Sequence, residues 1–174
     1  MEDLDVGAMQ PLLAMMQNID AWLVLPLNVL LARLDDPDSN VRTMALATLE
    51  SERYGTIEPA MIAHFAYAVI GKLYDPSALV RTAALCALCK LEPMTLAQHS
   101  NAVVEMLADS SWEVRRQALC ALCKLGPVTL AQHAKAVITK LEDSSEHVRN
   151  AALTTLAALP PSLLATCARG YWGV

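Results

Sequence analysis

Apolar residues recur along this chain at helical spacing, and the pattern restarts at intervals. From Leu96 to Leu107, the positions Leu96, Val103, Val104 and Leu107 fall on one face of a predicted helix. Thr95 with Gln98 three residues on predicts a capping box at its start, and Thr129 with Gln132 repeats it. Pro93 and Pro127 are predicted to stop the preceding helices. A second helix is predicted to open at an aspartate. Asp36-Pro37 and Asp75-Pro76 read as an N-cap followed by proline at the first helical position. Asp109 and Asp143 are instead followed by two serines, and Asp143 has Glu146 three residues on. Each second helix continues as V-R-x-x-A-L and ends near Leu91, Leu125 or Leu159.

The restart is a true repeat. Leu85–Ala118 laid on Leu119–Ala152 without a gap gives 22 identities in 34 positions, far above what shared helical pattern alone produces. One frame earlier, Glu58-Pro59 falls on Glu92-Pro93, Leu73 on Leu107 and Asp75 on Asp109. Asp36 and Val41-Arg42 match Asp75 and Val80-Arg81 at a spacing of 39, with the extra length assigned to a longer loop at Ser51–Ile57. A hairpin that cannot bury its own apolar face stacks on its neighbours, so the expected fold is an all-α solenoid. The expected organisation is one domain: a capping helix over 1–19 built on the Met-rich stretch 4–17; repeats 20–52, 57–91, 92–125 and 126–159; and a partial fifth repeat or cap over 160–174. Leu164-Ala165 falls on Leu130-Ala131, which extends the pattern into that last segment.

The run D-x-x-x-x-V-R-x-x-A-x-x-A-L, fullest at Asp75–Leu88, resembles the HEAT and HEAT-like repeats of the armadillo-type superhelix group over about residues 20–160. The resemblance implies a right-handed α-α superhelix with the second helices on its concave side. It also implies a ladder from the pairs Asp36/Arg42, Asp75/Arg81, Asp109/Arg115 and Asp143/Arg149, each aspartate bonding an arginine of its own or a neighbouring repeat. The repeats are shorter than the usual 40–47 residues, closest to the short HEAT-like variety. A tetratricopeptide array shares the 34-residue period, but its W-x-x-L-G-x-x-Y pattern is missing.

Composition fits closely packed helices: 55% hydrophobic residues but only 5% aromatic, with much Ala and Leu. A net charge of −5 gives no global attraction to nucleic acid. Glu2, Asp3 and Asp5 are the wrong charge for a secretory leader, and the apolar run Ala21–Ala32 falls short of the roughly 20 residues needed to span a membrane. Five cysteines within helical patterns point to a reducing compartment, cytoplasmic or nuclear.

Two C-x-x-C pairs, Cys86/Cys89 and Cys120/Cys123, outline a zinc site. Stacking displaces one pair from the other by a helix spacing of about 8–10 Å, whereas zinc needs its sulfurs about 4 Å apart. Other units carry Ala47 and Glu50, or Thr154 and Ala157, at these positions, so cysteine reads as a small packing residue; the remaining reading is a reactive thiol at an exposed Cys86 or Cys120. His99 and His133 align with Phe65, which favours packing, and His64 and His147 stand isolated. No metalloprotease, nucleophile-elbow, phosphate-loop or dinucleotide motif is present, and neither catalytic residue nor cofactor is expected.

Positions on the second helices that face away from the core form a stripe: Thr43, Ala47; Thr82, Cys86, Lys90; Arg116, Cys120, Lys124; Asn150, Thr154. Its middle is basic through Lys90, Arg116 and Lys124, which suits an acidic or extended peptide. Trp112, whose copies are Ala78 and Glu146, is a candidate hot spot. The expected function is a non-enzymatic protein-binding scaffold, with homo-oligomerisation through the ends as a further expectation. The family resemblance leaves open a bilin lyase-type or chaperone role and, less favoured by the charge, nucleic-acid binding as in DNA-repair glycosylases.

Overall fold

The computed structural model describes residues 27–49 and 66–172. The N-terminal cap, the Ser51–Ile57 loop, Glu50, His64 and Phe65 lie outside those residues. The described elements are α1 (Leu27–Arg33), α2 (Ser39–Leu49), a helical stretch α3 (66–71) closing in a 3-10 turn at Lys72–Tyr74, and α4 (Ala78–Leu88). Then come α5 (Pro93–Gln98), α6 (Ser100–Glu105) with a 3-10 turn at Met106–Ala108, and α7 (Trp112–Leu122). The chain continues through α8 (Pro127–Thr139) with a 3-10 turn at Lys140–Glu142, α9 (Glu146–Ala157) and α10 (Pro161–Trp172). There is no strand among the described residues, and no helix there is long and apolar enough to cross a membrane.

The second helices α2, α4, α7 and α9 lie side by side as one continuous layer. The first helices form the other layer; α6 packs on α7, α8 on α9, and α10 on α8. The second helices approach one another more closely than the first helices do, which puts them on the inside of the curve. One apolar position per turn carries the core through every unit. Val80, Val114 and Val148 are fully buried, as are Ala45, Ala84, Ala118 and Ala152. Leu46, Leu85 and Leu119 are likewise sealed from solvent. Alanine at the second of these positions lets adjacent second helices approach, because a methyl group is all that stands between the backbones.

The helix starts differ from the sequence expectation. Pro93 and Pro127 do not merely stop the previous helix: each is the first residue of the next, N-capped by Glu92 and Gly126. Proline has no N–H to leave orphaned and its fixed φ fits that position, so the helix begins two residues before Thr95 or Thr129. Both threonines therefore sit inside a helix, and no capping box forms. The second helices are N-capped by Ser77, Ser111 and Ser145, two residues beyond the predicted aspartates. Each aspartate instead closes a turn by accepting the backbone N–H two residues on: Ser77 at 2.9 Å, Ser111 at 2.8 Å and Ser145 at 3.0 Å. The single helix expected over Leu96–Leu107 is broken at His99. Buried Ser100 donates its hydroxyl to the Ala97 carbonyl at 2.8 Å, a back-bond that competes with the helical ladder; α8, with Ala134 there, runs unbroken.

Those aspartates carry the ladder, and each carboxylate is held by the arginine of the preceding unit. Arg42 Nε and Nη2 donate to Asp75 at 2.7 and 2.8 Å, Arg81 to Asp109 at 2.7 and 2.8 Å, and Arg115 to Asp143 at 2.8 and 2.8 Å. The third nitrogen, Nη1, turns back to its own unit and donates to the carbonyl of its own aspartate, as Arg81 does to Asp75 O at 2.8 Å. One planar guanidinium therefore fixes both the turn it belongs to and the rotation of the next unit, which an ammonium could not do.

The arginine fork holds Asp143 below the usual carboxylate range. Burial pushes Asp75 and Asp109 up, but their arginine bonds and serine N–H groups outweigh it and the net shift is down. A depressed native pKa means that the unfolded chain takes up protons first. The ladder's contribution is thus complete above the unfolded carboxyl value of about 4 and is lost as pH falls through the lower native values. Thermal stability followed by circular dichroism is expected to fall steeply below about pH 4, and the Asp109→Asn variant to show a shallower fall over the same window.

Candidate functional site

α7 and α9 are straight neighbours in the inner layer, and between them runs an open groove of about 530 Å³. From α7 it is lined by Arg116, Cys120, Cys123 and Lys124; from α9, by His147, Asn150, Ala151, Thr154 and Thr155. The spacing explains the lining: Arg116, Cys120 and Lys124 recur every four residues and so stand on one face of α7. Arg116 and Lys124 are exposed, and neither makes a hydrogen bond or ion pair with the described residues. Arg115, one position away, is consumed by the ladder.

The floor of the groove is fixed by Thr155, which is buried and donates its hydroxyl to the Leu119 carbonyl on α7 at 3.1 Å. At the entrance Trp112, the first residue of α7, stacks on His147 of α9, centroids 4.8 Å apart and planes at 30°. Trp112 is 38% exposed, so one face of the indole is engaged and the remainder meets solvent. Trp112 stands four residues before Arg116 and extends the same face.

The structure thus divides the predicted stripe. Arg116, Cys120, Lys124, Asn150 and Thr154 meet in the groove, with Trp112 at its mouth. Thr82, Cys86 and Lys90 lie on α4 outside it, and Thr43 and Ala47 on α2. Thr43 and Thr82 donate their hydroxyls to carbonyls of their own helices at 2.8 and 2.9 Å. Lys90 is exposed and occupies the position of Lys124 one unit earlier, about 10 Å away at ordinary helix spacing. His147, read as isolated, is a groove residue. The signal for it was its place three residues before Asn150, on the same face of α9.

Cys86 and Cys120 are half-buried rather than exposed, which removes the premise of an accessible thiol. Burial, reinforced by the neighbouring Cys86 and Cys120, pushes Cys89 up to about 11, so it stays a neutral thiol at pH 7. Among the described residues no three His, Cys, Asp or Glu side chains converge as a metal site. His99 packs edge-on against Tyr67, centroids 5.5 Å apart, and His133 Nε2 lies 3.0 Å from the Ser100 hydroxyl. Burial holds His133 below its ordinary 6.5 and keeps it neutral at pH 7.

Stacked helical hairpins with a shared inner layer define the chain as an α-solenoid. Residues 112–159 match the family described as HEAT-like repeat, and residues 56–87 that described as HEAT repeat associated with sister chromatid cohesion. The chain is a repeat protein of the HEAT/armadillo type. An engineered protein of known structure is similar at a TM-score of 0.70 and 17% identity, covering 90% of this chain and 76% of that one. A designed armadillo repeat protein in complex with the peptide (KR)4 is similar at 0.67 and 20% identity, covering 91% and 74%. A computationally designed armadillo repeat protein for modular peptide recognition reaches 0.64 and 20%, covering 83% and 70%. No curated protein matches the chain.

Proposed function

We propose that this chain is a non-enzymatic scaffold that holds an extended acidic segment of a partner protein in the groove between α7 and α9. The observation that carries this is the pair Arg116 and Lys124, two exposed cations without ion-pair partners among the described residues, set in an open groove. They stand eight residues apart on α7, about 12 Å along the helix axis. An extended chain advances about 3.3 Å per residue, so carboxylates three or four residues apart reach both. Trp112 at the mouth offers a rigid apolar surface of the kind that dominates binding energy.

The designed armadillo protein that carries (KR)4 supports a peptide reading of such folds, and the sign of charge here selects the opposite peptide. The net charge of −5 is compatible with this choice. A short acidic segment feels the local groove, whereas a long polyanion such as nucleic acid meets the acidic remainder of the surface. Capture from native lysate with wild type beside the Arg116→Glu, Lys124→Glu double variant tests the reading. The partner is expected to be lost from the variant while helicity stays equal; retention of the same partner by both would count against it. Trp112→Ala is expected to weaken the captured complex by about tenfold, measured as Kd with the purified partner.

A further inference from the structure

The ladder has an open end. Arg149 occupies the position of Arg42, Arg81 and Arg115, and its Nη1 makes the same two turn-closing bonds, to Asp143 O at 2.8 Å and Ser144 O at 3.1 Å. Among the described residues nothing meets its Nε and Nη2, the two nitrogens that in the other three arginines hold an aspartate. The guanidinium is already oriented, so its fork is presented without further ordering.

A second, apolar observation falls on the same face. Leu153 is the copy of Leu46, Leu85 and Leu119; each of those is 0% exposed, whereas Leu153 is 57% exposed. Ala157 is exposed where its copies Cys89 and Cys123 are half-buried. Arg149, Leu153 and Ala157 recur every four residues, so they form one strip of α9. On α2, α4 and α7 the equivalent strip is covered by the following second helix, whose entry turn delivers the aspartate.

We propose that this strip is a docking site for a partner's helix entered through an aspartate turn, with the carboxylate seated on Arg149 and the helix lying over Leu153. Three occupied copies within the same chain specify both features of the occupant: an anionic group two residues ahead of the helix cap, and a small apolar face that admits close approach. The site is separate from the α7–α9 groove, which lies on the other side of α9's first turn at His147 and Ala151.

A synthetic peptide with the sequence of residues 109–125, which contains such a turn and helix, is the probe. It is titrated into the full chain by NMR, with the Arg149 side-chain Nε–H and the Leu153 methyls observed. Saturable shifts centred on those two groups are expected. Binding is expected to weaken by about tenfold or more when the peptide carries asparagine for its aspartate, and likewise in the Arg149→Gln chain. Leu153→Asp, on an exposed position, keeps the fold and is expected to abolish the shifts. Shifts absent at millimolar peptide, centred on the groove, or indifferent to these changes would overturn the proposal. The same shifts appearing with protein concentration alone would overturn the partner assignment in favour of a second copy of the chain.

Discussion

Asp109→Ala is expected to destabilise the chain by about 3 kcal/mol, read by urea or thermal unfolding. The Asp109 side chain is only 8% exposed and accepts two bonds from Arg81 and one from the Ser111 N–H. Its loss strands a largely buried guanidinium and an N-terminal turn donor together, and removing one partner of such a pair costs more than the pair itself contributes. Asp36→Ala is the control. That carboxylate bonds exposed Arg33 at 3.3 Å and the Asp38 N–H, not the arginine of a preceding unit among the described residues, so its loss is expected to cost under about 1 kcal/mol. Equal costs at the two positions would mean that the ladder does not join the units.

Leu119→Ala is expected to cost about 3 kcal/mol, and Leu153→Ala, the same substitution one repeat on, under about 1 kcal/mol. Leu119 is sealed between α7 and its neighbours, so truncation leaves a cavity as well as losing the transfer free energy. Leu153 already meets solvent, and truncating it opens no cavity. The contrast isolates tertiary context, because residue type, helix position and flanking Ala are shared. If Leu153→Ala proved as costly as Leu119→Ala, its face would be covered in solution. That outcome would point to self-association of the chain.

The repeat made the layered fold legible, because residues that recur at a fixed period must do the same structural job in every unit. Val80, Val114 and Val148 could be placed in the core before any coordinates for that reason. The ladder residues were legible too, but not their pairing. The six-residue spacing brings each arginine back to its own aspartate's carbonyl, while the carboxylate partner depends on the rise between units, which no local spacing encodes. The helix starts were misread where two signals compete: Thr95 and Gln98 form a valid capping pattern, but Pro93 two residues earlier had already set φ for the first turn. In the site, the α7 side was legible from the four-residue recurrence of Arg116, Cys120 and Lys124. The α9 side was not, because His147 has Leu79 and Glu113 as its copies and no shared chemistry marks the position. Trp112 gained its place from a ring stack across two units, a contact invisible to either repeat alone.

The most direct test of the groove is selection from a random peptide library on immobilised wild-type chain, with the Arg116→Glu, Lys124→Glu variant as counter-bait at equal helicity. The expected result is enrichment of peptides with two Asp or Glu residues three or four positions apart, bound by wild type, released by salt and refused by the variant. Enrichment without acidic residues, or the same peptides retained by both chains, would contradict a basic peptide groove between α7 and α9.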